Sequence, residues 1–234
     1  FCFTLYAQAF ENKDKSILHL FVPVQRLGFG KLANSWGWYK CLTCDRINVT
    51  YLGRENAAFW QYLIRKNRNK IEFSGQYMFY EVIAREMNYR YIPYAKDFII
   101  DFTSDEMQAA EATMDKMGLR GKEYVCFVTR DNAYNKKHKG KDRNPIFEHN
   151  DKARNANIEN YRSALTKLGQ RGIYSVRMGA AVERRFSGDT IIDYASDFRT
   201  EMMDFYLLSK CKFFVGTCTG LICMAMLSRM PSSA

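Results

Sequence analysis

The sequence has little proline and little histidine, with 4 Pro and 3 His among 234 residues. The low proline content and a moderate glycine content of 14 argue against long low-complexity linkers. No apolar run reaches the roughly 20 residues that a transmembrane helix needs. The N-terminal residues also lack the basic segment and the long apolar stretch of a signal peptide. We therefore expect a globular, cytoplasmic protein.

The 7 cysteines form no recognisable framework. Their number is odd and most of them lie in apolar stretches, which is typical of reduced cysteines in a protein core. Cys41 and Cys44 form a single CxxC pair, without a second pair or a histidine at zinc spacing. The sequence thus predicts no metal site and no cofactor. Because the chain begins at Phe1 and ends shortly after Pro231, we also expect its natural ends to be missing.

The formal net charge of +10 predicts an anionic partner. The positive charge is concentrated in residues 65–70 (RKNRNK), in residues 136–143 (KKHKGKDR) and at Arg184 and Arg185. Each of these runs can equally be a solvated loop or a helix end. Charge alone leaves open a phosphorylated small ligand, a nucleic acid and an anionic membrane surface.

Short apolar runs alternate with segments of helical period along the whole chain. Strands are predicted over residues 16–24, 46–52, 124–129, 173–178, 190–192 and 212–215. Helices are predicted over residues 57–66 and 77–87, from a capping box at Thr103 and Glu106 to Gly118, over residues 158–168 and 198–209, and from Leu221. This order predicts an α/β fold with mostly parallel sheets, in two Rossmann-like halves. We place the halves at residues 1–110 and 111–234 and expect the second half to be truncated.

Ligands of open parallel sheets bind at the carboxyl ends of the strands, where three loops carry suitable residues. In the first loop, Gly28 and Gly30 allow close backbone approach to a ligand, or they form a tight turn only. In the second, Arg130 can present its planar fork of donors to a diphosphate. Asp131 can orient that guanidinium or act as a base. The alternative is a simple Arg130–Asp131 pair.

A polar loop of about twenty residues is expected after Asp131, either as a functional lid or as a disordered segment. The third loop contains Gly216, Thr217, Thr219 and Gly220, which can form a phosphate cradle or merely cap the following helix.

Three further residues are candidates for substrate binding. Arg154 and Asn155 are expected to open a helix and to contact the lid or the ligand. Arg177 follows a predicted strand, and we expect it to contact either the ligand or the region of Asp193. His149 is a second candidate for a catalytic base.

Several stretches resemble a group of bacterial glycosyltransferases encoded with surface-polysaccharide genes. They are residues 124–134 (YVCFVTRDNAY), 153–161 (ARNANIENY), 174–179 (YSVRMG), 191–217 (IIDYASDFRTEMMDFYLLSKCKFFVGT) and 219–221 (TGL). The arrangement is more distantly similar to fucosyltransferases of the GT-B type. That resemblance implies that Arg130 contacts the donor diphosphate and that Thr217 and Thr219 lie in the second donor loop. The histidine usual two positions before the arginine is replaced by Val128, so the sugar stays open.

The resemblance implies an enzyme that transfers a sugar from a nucleotide-diphosphate donor to a glycan or surface-polymer acceptor. The first half would lie on the acceptor side and the second half would bind the donor. Arg130 and Asp131 would be the catalytic residues, without a metal. Nucleic acid is not an expected partner, because no nucleic-acid-binding motif is present. Contact with the inner face of a membrane is left open, and the alternative functions are a non-catalytic nucleotide- or glycan-binding module or a basic nucleic-acid-binding protein.

Overall fold

The computed structural model describes residues 18–23, 36–37, 40, 47–52, 101–139, 153–217, 219–228 and 230–233. The chain divides into two compact units, Phe1–Phe98 and Ile99–Ala234. A boundary between residues 110 and 111 would cut through a helix that the structure places wholly in the second unit. Within the described residues, no helix combines the length and the apolar composition needed to cross a membrane.

The first unit contains a pair of parallel strands. Strand β1 (Leu18–Pro23) pairs with β2 (Ile47–Leu52) along all six residues of each strand. Both strands confirm the sequence predictions for residues 16–24 and 46–52. Residues 36, 37 and 40 are helical. The glycine loop with Gly28 and Gly30 and the helices predicted over residues 57–66 and 77–87 lie outside the described residues.

Helix α1 (Ser104–Lys116) opens the second unit with the predicted capping box. The Thr103 hydroxyl accepts a hydrogen bond from the Glu106 amide at 3.2 Å, and the Glu106 carboxylate accepts one from the Thr103 amide at 2.8 Å. These two bonds satisfy amides that the first turn of a helix leaves without intrahelical partners. Gly118 follows the helix with a φ of 65°, a left-handed conformation that glycine adopts without steric cost.

A five-stranded parallel sheet forms the centre of the second unit, which makes it an α/β fold. Its strands are β3 (Tyr124–Val128), β4 (Tyr174–Arg177), β5 (Ile191–Ile192), β6 (Phe214–Gly216) and β7 (Ser232–Ser233). They lie in the order β5-β4-β3-β6-β7, and every neighbouring pair is parallel. All five residues of β3 are buried, as expected for the central strand of a covered sheet.

Helices cover both faces of this sheet. On one face, Phe127 packs with Ile158, Leu165, Phe186 and Ile191 in a buried apolar cluster. Ile158 belongs to a 3-10 helix (Ile158–Tyr161) that leads directly into α3 (Arg162–Gly169). On the other face, the Cys126 sulfur lies 3.8 Å from the carbonyl oxygen of Leu207 in α5 (Glu201–Lys210). Because adjacent side chains of a strand point to opposite faces, β3 contributes to two separate layers of packing.

Three helical details differ from the sequence predictions. The polar loop expected after Asp131 begins with a helix, α2 (Ala133–Lys139). The sequence of this helix has no apolar stripe that would have indicated it. Residues 153–154 are helical but do not open the next helix, because Asn157 caps the 3-10 helix by accepting from the Glu159 amide. The helix predicted over residues 198–209 begins at Glu201 as α5, and a short unpredicted helix, α4 (Tyr194–Asp197), precedes it.

Candidate functional site

The carboxyl ends of β3 and β6 lie side by side at the centre of the sheet. From β3 the chain continues to β4 and β5 on one side, whereas β6 and the following helix α6 (Gly220–Leu227) lie on the other. Such a reversal of strand order leaves a crevice outside the carboxyl ends, and ligands of open α/β sheets bind there. Arg130 follows β3 and Thr217 follows β6, so two predicted site residues border this position.

A short hydrogen bond joins these two loops. The Arg130 amide donates to the Thr217 hydroxyl oxygen at 2.7 Å, and the Thr217 amide donates to the Val128 carbonyl at 3.1 Å. On the other side, the Arg130 carbonyl accepts from the Ala156 amide at 3.0 Å. The Arg130 backbone is therefore fixed from both sides, while its side chain is only half-buried.

The glycines and the second threonine of the third loop have structural explanations. A Cβ atom at Gly216 would lie 2.1 Å from the Val128 carbonyl oxygen, so glycine is required where β6 approaches β3. The Thr219 hydroxyl accepts from the Leu221 amide at 3.3 Å and thereby caps α6. Gly220 is the first residue of that helix, and a Cβ atom at this position would have no heavy atom within 4 Å. Thr217 connects to the Arg130 loop through its side-chain hydroxyl.

Asp131 is tied to its surroundings by both carboxylate oxygens. One oxygen accepts from the Ala133 amide at the start of α2, and the other accepts from the Glu183 amide, each at 3.0 Å. The same oxygen lies 3.9 Å from a terminal nitrogen of Arg177. Asp131 thus lies beside the guanidinium of Arg177, whereas its orienting of Arg130 stays a prediction. Its participation in catalysis stays a prediction.

Arg177, at the end of β4, is only 1% exposed. Its guanidinium lies 3.5 Å from both carboxylate oxygens of Asp193 and donates to the Arg184 carbonyl. Burial lowers the pKa of Arg177, and the nearby Asp193 and Asp131 carboxylates oppose that effect. Of the two contacts expected for Arg177, the structure shows the one with the Asp193 region.

Asn155 is connected to the β3 loop as well, through a 2.9 Å hydrogen bond to the side chain of Asn132. Arg154 is exposed beside it.

The sequence did not indicate two features of the β3 loop. One is Asn132, and the other is the 2.7 Å ion pair between Lys136 of α2 and Glu183, which raises the pKa of Lys136. Only the spacing of Asp131 before Ala133, a common arrangement at helix starts, could have indicated α2.

Three exposed basic side chains near this edge are paired with carboxylates. Arg185 forms an ion pair with Asp197, and Arg184 lies 3.9 Å from Glu159. Lys136 is paired with Glu183. These carboxylates offset part of the local positive charge.

Comparison with known proteins adds no relative to this picture, since no family model, no curated protein and no solved structure matches the chain. Function is therefore argued from the site itself.

Proposed function

We propose that the protein is a nucleotide-sugar-dependent glycosyltransferase whose second unit binds the donor. The observation that carries this proposal is the position of Arg130 and Thr217 at the reversal of strand order between β3 and β6. In this proposal, the fixed backbone at Arg130 lets its planar guanidinium contact two phosphate oxygens of the donor at once. The resemblance of residues 124–134 and 191–217 to bacterial glycosyltransferases supports the same assignment.

In the proposed reaction, the bond between the anomeric carbon and the diphosphate oxygen breaks, and the diphosphate leaves with the electron pair. An acceptor hydroxyl oxygen forms the new bond to that carbon and loses its proton to a base or to water. Negative charge develops on the leaving diphosphate, so a positioned arginine stabilises the transition state more than the ground state. Arg130 would supply this charge, and the amides at the start of α6 would add their partial positive charge.

The first unit would hold the acceptor, in the arrangement of two Rossmann-like halves that the GT-B resemblance implies. Its support is the parallel pair β1 and β2, since parallel neighbours require a crossover connection of the βαβ kind. A glycan or a surface polymer is the proposed acceptor. The proposed location is the cytoplasm or the inner face of the membrane.

The proposal is tested by thermal unfolding with UDP, GDP, ADP and CMP, on the wild-type protein and on Arg130→Ala. We expect one nucleoside diphosphate to stabilise the wild-type protein, by about 2.7 kcal/mol when its concentration is a hundred times Kd. Arg130→Ala should bind that nucleotide roughly ten- to a hundredfold more weakly, because a charge-assisted bidentate contact is lost. Arg120→Ala is the matched control, since Arg120 is an exposed arginine that pairs with Asp115 and lies before β3 rather than after it.

Absence of stabilisation by every nucleotide, on protein shown to be folded by circular dichroism, would refute the donor site. Turnover is then measured as release of the nucleoside diphosphate from the corresponding sugar donors. Binding without any release, in the presence of glycan acceptors, would replace the transferase with a non-catalytic nucleotide-binding role.

A further inference from the structure

Three loops at the carboxyl edge of the sheet converge on the guanidinium of Arg177. Asp131 comes from the loop after β3, Arg184 from the connection between β4 and β5, and Asp193 from the position after β5. Each of these loops is separated from the next by at least one strand, and Arg177 itself ends β4. One buried side chain therefore connects four segments of the fold at the edge where the ligand is proposed to bind.

Asp193 anchors this arrangement. It is 3% exposed, and its carboxylate also accepts from the Phe186 amide at 2.9 Å and from the Ser196 hydroxyl at 2.7 Å. A buried carboxylate with these bonds has few orientations open to it, so it holds the arginine in turn. The planar guanidinium then reaches the Arg184 carbonyl and the Asp131 carboxylate from one fixed position. A lysine has a single ammonium group and cannot bridge the same three partners.

Asp131 follows Arg130 directly in the β3 loop, and its carboxylate contacts hold the segments next to Arg130. Its carboxylate holds the Glu183 amide and the Ala133 amide, and Glu183 in turn pairs with Lys136 of α2. The Arg130 backbone itself is bonded to Thr217 and Ala156. The Asp131 contacts thus form the side of this network that faces β4, and Arg177 is the only cation among the described ion pairs that contacts Asp131.

We propose that Arg177 is a positioning residue, which, through Asp131, holds the β3 loop in the conformation that presents Arg130 to an anionic ligand. The inference rests on the proposed donor site, because Arg130 is taken as the residue that contacts the ligand. It assigns Arg177 and Asp193 to the support of that site, with no contact to the ligand. Asp131 and Asp193 thus support Arg130, the residue proposed to contact phosphate, without contacting phosphate themselves.

The first test compares Asp131→Asn and Arg177→Lys with the wild-type protein, using the nucleotide that gives the largest stabilisation in the panel. Both variants should remain folded, because Arg177 keeps Asp193 in the first and a positive charge remains beside Asp193 in the second. We expect each to bind the nucleotide about tenfold more weakly by calorimetry, the equivalent of one lost charge-assisted contact. Asp197→Asn is the matched control, since Asp197 pairs with Arg185 outside the network, and its affinity should be unchanged.

Two results would overturn the inference. One is binding within twofold of wild type in either variant. The other is a loss of binding fully explained by the unfolded fraction in urea titrations, which would make the network merely structural.

A second test does not depend on any ligand and so separates this inference from the proposed function. Amide hydrogen exchange is measured on Arg177→Lys, for the amides of Arg130 and Glu183 and for those of α1 as internal reference. We expect the two loop amides to exchange about tenfold faster than in wild type while α1 is unchanged, because local opening costs less free energy. Wild-type exchange at both amides would overturn the inference, whereas failure of the wild-type protein to bind nucleotides would refute only the donor site.

Discussion

Asp204 offers the sharpest test of the energetics of the second unit. It lies in the first turn of α5 and is 3% exposed. Its carboxylate accepts from the Tyr194 hydroxyl at 2.9 Å and from Arg199 at 2.8 Å. Burial raises its pKa from the ordinary value of 3.8 to about 6, although Arg199 and Tyr194 both favour the ionised form. Desolvation therefore outweighs the two partners.

The sign of the pH dependence follows from proton binding. Between pH 3.8 and about 6 the folded protein keeps a proton on Asp204 that the unfolded chain has released. Stability from this residue is therefore fully present below the lower value and is lost as the pH rises through the higher one. The difference between the two pKa values corresponds to a loss of about 3 kcal/mol, at about 1.4 kcal/mol for each pH unit.

The perturbation that isolates this effect is Asp204→Asn, which keeps the shape of the side chain without its titration. We expect the free energy of unfolding of wild type, minus that of the variant, to fall by about 2 kcal/mol between pH 4 and pH 7.5, because part of the loss has already occurred at pH 4. Urea titrations followed by far-UV circular dichroism measure it. The 3 tryptophans of the chain, Trp36, Trp38 and Trp60, all lie in the first unit, so their fluorescence reports that unit separately.

A difference that stays constant within about 0.5 kcal/mol would refute the argument from burial. A difference that grows as the pH rises would mean that the Arg199 ion pair outweighs desolvation.

Two further predictions concern stability. Gly216→Ala should destabilise the second unit by roughly 2–4 kcal/mol, because its Cβ would lie 2.1 Å from a backbone oxygen that cannot yield without loss of the β3–β6 pairing. Gly220→Ala, with open space around it, is the control in the same urea titrations, and equal effects would refute the steric reason. Thr103→Ala should cost about 1 kcal/mol through the lost cap of α1, and Thr103→Ser should restore most of it. Amide exchange of the first turn of α1 measures this effect, and unchanged exchange in the alanine variant would contradict it.

The sequence predicted strands β1 to β6 and the capping box because their causes are local. Alternating or continuous apolar residues specify a strand within about six positions, and a cap needs only four. Strand β7 was missed because its two serines give no apolar signal. Helix α2 was missed since most of its residues are polar and its start depends on the Asp131 carboxylate. The short helix α4 was missed for a related reason, because Tyr194 is held by bonds to Thr200 and Asp204 rather than by periodicity.

The candidate site was predictable in its positions and less so in its contacts. Parallel strands place their following loops at one edge, so Arg130 and Thr217 could be expected near each other from the strand order of an α/β sheet. The network of Arg177 depends on which strands are neighbours. It also depends on the burial of Arg177 itself, which is unusual for an arginine. Neither fact is encoded within a few positions of the sequence. The predicted residues Gly28 and Gly30 lie outside the described residues.

The hydrogen bond between Arg130 and Thr217 joins residues that are 87 positions apart in the chain. During synthesis at about 5–20 residues per second, the ribosome needs roughly 4 to 17 s to pass from the first residue to the second. Throughout that interval the edge of β3 that β6 will cover has no partner, and unpaired apolar edges invite association with other chains. The junction between β3 and β6 thus forms only after β6 has been synthesised, and the yield of folded protein in the cell will depend on what shields β3 until then.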